Sequence, residues 1–81
     1  MGQIEFGEFE REYHLSRTEV AGILRNIAEQ LEKGTKIYVS GKDWEVELEY
    51  TEPVKFKVVF EEGEKDKKLK LKVVLKSRRM L

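Results

Sequence analysis

Residues 16–34 constrain the chain most, because they carry a start signal, an apolar stripe and a stop signal for one helix. Ser16 is followed three residues later by Glu19, the spacing of a capping box. The Ser16 hydroxyl accepts from the backbone N–H of Glu19, and the Glu19 carboxylate accepts from the N–H of Ser16. Leu15, just outside the cap, and Val20, at the fourth helical position, are placed to close as a hydrophobic staple. Val20, Ile23, Leu24, Ile27, Ala28 and Leu31 recur at steps of three and four, one apolar stripe on a 3.6-residue period. Arg17, Arg25, Asn26, Glu29, Glu32 and Lys33 fall on the other side. Gly34 follows the last periodic residue and is expected to take the left-handed conformation that ends a helix. Gly22 inside the helix costs about 1 kcal/mol against Ala, and a close approach to a sheet would account for it. The polar side mixes both signs, which argues against a basic helix lying on a membrane.

The rest of the chain reads as strands. In residues 4–15, Phe9, Arg11, Tyr13 and Leu15 alternate with Glu8, Glu10, Glu12 and His14, and Gly7 interrupts the phase. Residues 36–40 carry Ile37 and Val39 on one side, and 40–43 form a turn. Residues 44–50 set Trp44, Val46, Leu48 and Tyr50 against Glu45, Glu47 and Glu49. Pro53 has no N–H to donate and stops pairing. Val54, Phe56, Val58 and Phe60 then alternate with Lys55, Lys57 and Val59. After a polar loop around Gly63, Leu69, Leu71, Val73 and Leu75 alternate with Lys68, Lys70, Lys72, Val74 and Lys76.

The expected fold is therefore α+β, in the order β-α-β-β-β-β, with one helix packed on a single antiparallel sheet of about five strands. Short links make the last four strands a meander. Lysine rows on adjacent strands would repel. Placing the glutamates of the first strand beside the last strand relieves this and gives the spatial order 2-3-4-5-1. Residues 1–76 form one domain, and 77–81 are a frayed basic tail.

A chain of 81 residues makes one domain that buries about 60–65% of its unfolded surface. It contains no cysteine, so it has neither disulfides nor thiolate metal sites. No run of about 18 apolar residues would span a membrane, and the start lacks the basic and apolar regions of a signal peptide. Phe6 stands where a myristoylation signal needs Ser or Thr. A cytoplasmic protein is expected. Charged residues make up 40% of the chain, while the amides are only Gln3, Asn26 and Gln30, a balance common in thermophiles. The charge is polarised: residues 1–52 hold 12 acids and 6 bases, net −6, and residues 53–81 hold 4 acids and 10 bases, net +6.

No catalytic or cofactor signature emerges. His14 is the one histidine, and a zinc site needs three or four converging donors. The Ser16 hydroxyl is explained by its cap and lacks a glycine-rich elbow. Glu45, Glu47 and Glu49 alternate on a flat strand with no cleft to raise a pKa. Neither a metal nor a cofactor is expected. The best polar candidate is the basic surface of Lys55, Lys57, Lys68, Lys70, Lys72 and Lys76, continued by Arg78 and Arg79, which could bind phosphate backbones. Single-strand binders interleave aromatics on such a face; here Val59 and Val74 stand there instead.

Trp44 and Phe60 raise a different possibility. A helix of about 17 residues is about 26 Å by 10 Å, and five strands of about seven residues make a sheet near 24 by 23 Å. One helix covers about half of that face, so marginal apolar residues such as Trp44 and Phe60 are expected to form an interface.

The run Phe9-Glu10-Arg11-Glu12-Tyr13-His14-Leu15-Ser16-Arg17-Thr18-Glu19-Val20 resembles the opening of the amphi-Trp domain family, small prokaryotic proteins with many archaeal members. Trp44-Glu45-Val46-Glu47-Leu48 and the alternating strands as far as Leu75 are similar to the rest of that domain. The resemblance spans roughly residues 5–76 and supports the fold; it implies no activity and no site residues. The expected function is a non-enzymatic interaction domain, a homodimer or an adaptor for another protein. The alternative is weak nucleic-acid binding through the lysine-rich face of the last two strands.

Overall fold

The computed structural model describes residues 8–77. Helix α1 spans Arg17–Lys33, followed by strands β1 (Lys36–Ser40), β2 (Glu45–Glu49), β3 (Thr51–Glu62) and β4 (Lys67–Lys76). The capping box forms as the spacing predicts. Ser16 N–H donates to Glu19 Oε1 at 3.0 Å, and Glu19 N–H donates to Ser16 Oγ at 3.2 Å. Gly34 differs: its φ of 166° is extended backbone, not left-handed. The helix end is held instead by Tyr50, whose hydroxyl donates to the Gly34 carbonyl at 2.8 Å.

The chain is α+β, but its strands form two separate antiparallel pairs, β1–β2 and β3–β4, not one sheet in the order 2-3-4-5-1. Two causes are visible. Only Tyr50 separates β2 from β3, and a hairpin reversal needs at least about two loop residues. Tyr50 is instead fixed in line with β2, donating its N–H to the Thr35 carbonyl at 2.8 Å. In addition, residues 8–16 form no strand, so the expected bridge beside the last strand is missing; residues 4–7 of that expected strand lie outside the described residues.

In the first unit, Ile37 pairs with Leu48 and Val39 with Val46. Helix α1 packs on β1. Gln30 reinforces this contact: its amide oxygen accepts from Tyr38 N–H at 2.7 Å, and its nitrogen donates to the Tyr38 carbonyl at 2.9 Å. One side chain thus stands in for a neighbouring strand at the outer edge of β1. Ile37 and Tyr50 are the buried apolar residues among those described. Ile27 and Leu31 are half-buried, whereas Val20, Ile23 and Leu24 at the other end of the stripe are 39%, 47% and 54% exposed. Gly22 meets no sheet among the described residues, and none of them lies within 4 Å of where its Cβ would stand.

The second unit is a long hairpin closed by Gly63 N–H donating to the Asp66 carbonyl at 2.9 Å. Pro53 does not end β3. It lies in a register shift between Thr51 and Lys55, where its missing N–H costs no ladder bond. Beyond it, Phe56 faces Val73, Val58 faces Leu71 and Phe60 faces Leu69.

The consequence is an open molecule. Its Cα radius of gyration is 15.7 Å, against about 11.7 Å for a compact domain of this length. Its accessible surface is 7986 Å², where a folded monomer of 9.6 kDa exposes about 5,100 Å².

Candidate functional site

One face of the β3–β4 hairpin is a broad apolar surface. Phe56, Val58, Phe60, Leu69, Leu71 and Val73 form three cross-strand pairs there and are 48–63% exposed. Their alternation predicts an inward face, and the structure turns that face to solvent. The reason is that α1 covers β1 and does not pack substantially on either hairpin strand. Only Val54 and Leu75, at the base, are half-buried. Phe60, singled out by sequence, therefore belongs to a patch of six, and the other five carry the same period-two signal.

Trp44 lies on a different surface. An open groove of about 1010 Å³ runs between residues 9–15, the first turns of α1 and the end of β1, with Phe9, Tyr13, Ile23, Ile27 and Trp44 in its lining. Trp44 Nε1–H donates to Tyr13 Oη at 2.8 Å. The Phe9 ring stands 5.4 Å from Trp44 at 59°, and the Arg11 guanidinium sits 5.2 Å from the Phe9 ring centre. Such tilted and cation–π contacts contribute about 0.5–1.5 kcal/mol each, which explains how residues 9–13 are held without strand pairing. The indole also occupies the space a Cβ at Gly41 would need, meeting it at Nε1 and Cε2. Trp44 and Phe60 are thus not brought together.

The hairpin's other face carries the basic candidates. Lys55, Lys57, Lys68, Lys70 and Lys72 share it, with Lys76 at its base. Lys70 Nζ reaches Glu61 at 3.5 Å, and Glu61 pairs in register with Lys68. Lys57 stands directly opposite Lys72, and neither has an ion pair among the described residues. Glu8, Glu10 and Glu12 do not line up beside this row as the sequence predicts, because residues 8–16 form no strand. Val59 and Val74 are half-buried although they share the face. Val59 pairs with Lys70 and Val74 with Lys55, and lysine stems lie readily along apolar surface. Arg78 and Arg79 lie outside the described residues.

The remaining ionisable groups are dispersed. His14 Nε2 is 3.5 Å from Glu12, and both side chains are exposed. Among the described residues no group of three or more His, Cys, Asp or Glu converges as a metal site would. Ser16 is occupied by its cap. Glu45 accepts from the Tyr38 hydroxyl at 2.7 Å, and this bond to a carboxylate raises the Tyr38 pKa above its ordinary value. A second hollow, of about 610 Å³, lies at the link between the two units around Thr35, Glu49, Tyr50 and Glu52. No helix among the described residues is long and apolar enough to cross a membrane.

Comparison with curated proteins and with solved structures finds no match. The sequence model of the Amphi-Trp domain matches residues 1–75, which takes in the capped helix, Trp44 and nearly all of the last strand, and the chain belongs to the Amphi-Trp domain family.

Proposed function

We propose that this is a cytoplasmic, non-enzymatic association domain that acts by burying apolar surface against another protein. The observation that carries the reading is the hairpin face: six in-register apolar side chains, roughly half exposed, on a ribbon over which no other described element packs. Two-stranded ribbons alone are marginal in water, and bare patches of this kind mark interfaces. Completing the burial of each side chain is worth about 1 kcal/mol, or roughly 6 kcal/mol for the face. Association costs roughly 4–15 kcal/mol, so a partner must cover this face and contribute a comparable one.

Light scattering on the purified chain at tens of micromolar tests the reading. The expected mass is that of a complex, and Leu71→Asp should return it to the monomer by placing an unpaired charge in the buried patch. A monomeric mass for the unmodified chain, with no protein partner recovered on it, would count against the proposal.

A second reading is weak nucleic-acid binding by the lysine face. What favours it is that Lys57 and Lys72 stand directly opposed and form no ion pair among the described residues; a phosphate would relieve their repulsion. Affinity for single-stranded or duplex probes should then appear at low salt and fall steeply as salt rises. No retardation of either probe at low salt would remove this reading.

A further inference from the structure

We propose that the partner is a second copy of this chain, and that the two copies exchange hairpins. The apolar face of β3–β4 from one protomer seats on the exposed half of the α1 stripe and the Trp44 groove of the other, and reciprocally. This rests on the association reading and adds the identity of the covering surface.

Three observations lead here. Among the described residues the molecule exposes two apolar surfaces that do not pack substantially on one another. One is the hairpin patch; the other is Val20, Ile23 and Leu24 with the neighbouring groove. They match in size: Phe56 to Phe60 spans about 14 Å of strand and the ribbon is about 10 Å wide, while Val20 to Ile27 spans about 11 Å of a helix about 10 Å across. Gly22 lies in this part of α1 with open space at its missing Cβ. On the groove side, where Gly22 and Ile23 both line the hollow, a seated ribbon can come close to the helix backbone.

The area is also of the right size. The chain exposes 7986 Å², about 2,900 Å² more than a compact monomer of its mass. Obligate homodimers bury roughly 2,000–5,000 Å² over both chains, about 1,000–2,500 Å² from each, so the excess on one chain is ample for such an interface. A hairpin-to-hairpin dimer would cover one apolar surface per chain and leave the helix stripe bare. Exchange covers both at once, and each C2-related copy repeats it, so the assembly closes as a dimer.

Charge selects between the two arrangements independently. Among the described residues, 53–77 hold 8 bases and 4 acids, net +4, and 8–52 hold 11 acids and 6 bases, net −5. Stacking hairpin on hairpin sets two basic segments against each other. Exchange seats each basic hairpin on a charge-balanced helix flanked by the acidic residues 8–16, net −2, and so avoids that opposition. Added salt should therefore weaken the exchanged dimer and tighten a stacked one.

The absence of cysteine makes a clean test possible. Ile23→Cys and Leu71→Cys are prepared separately at exposed positions, then oxidised alone and as an equimolar mixture. Leu24→Cys with Val58→Cys serves as a second pair should either of the first misfold. The expected result is a covalent dimer in the mixture, several-fold above either variant alone, together with a dissociation constant for the unmodified chain that rises with salt. Ready cross-linking of Leu71→Cys alone, in a dimer that tightens with salt, would overturn the exchange and leave the association reading standing. A double variant that closes within one chain as a monomer would overturn both.

Discussion

Gly41 shows how one position can be fixed by a neighbour's bulk. A Cβ there would collide with the Trp44 indole, the same ring that bonds Tyr13 and makes a tilted contact with Phe9. Gly41→Ala should therefore cost about 1–3 kcal/mol, as overpacking typically does. Chemical unfolding will measure the cost, and a shift in tryptophan emission will show the ring displaced. Tyr38 makes a prediction about pH. Its bond to Glu45 raises its pKa above the ordinary 10.0. The folded state thus keeps this proton longer than the unfolded state does. The stability contributed by the bond is fully present below pH 10 and is lost as pH rises through the folded value. Absorbance titration should show the Tyr38 transition above its ordinary value, and Glu45→Gln should move that transition down. At this scale the sequence was legible where partners are close in the chain. The Ser16–Glu19 box spans three residues and forms as read. The Trp44–Tyr13 bond spans 31 residues and has no local signature. Gln30, which looks like a surface amide in a helical repeat, carries the tie between helix and strand.

Elements were legible because periodicity is a property of the element itself. The helix and the strands containing Ile37, Leu48, Phe56 and Leu71 appear where their apolar repeats place them. Residues 8–16 alternate like a strand yet form none, since alternation specifies two faces and does not supply a pairing neighbour. The β3–β4 ladder carries a defect that a substitution can remove. Lys57 and Lys72 are directly opposed, and like charges so placed are destabilising. Lys57→Glu should raise stability by about 0.5 kcal/mol, read as a higher urea midpoint with unchanged slope. If the midpoint falls instead, the lysine stem's cover of its apolar neighbours outweighs the repulsion.

The shape of the whole molecule was not legible, for a physical reason. An apolar stripe records that a face will be covered and is silent on which chain covers it. The helix and hairpin repeats are equally clean, but α1 finds β1 in its own chain while the hairpin face stays open to solvent. A fold completed by association melts at a temperature that depends on concentration. The midpoint should climb by several degrees between about 1 and 100 micromolar, followed by circular dichroism; a constant midpoint would describe a fold already complete in one chain. Gln30 bears on what such a molecule avoids. A helix amide occupies the middle rung of the β1 rim, so a stranger's backbone meets no continuous ladder there. Lateral addition of chain upon chain, the route by which open sheets run on into fibres, is stopped on that flank by a single side chain.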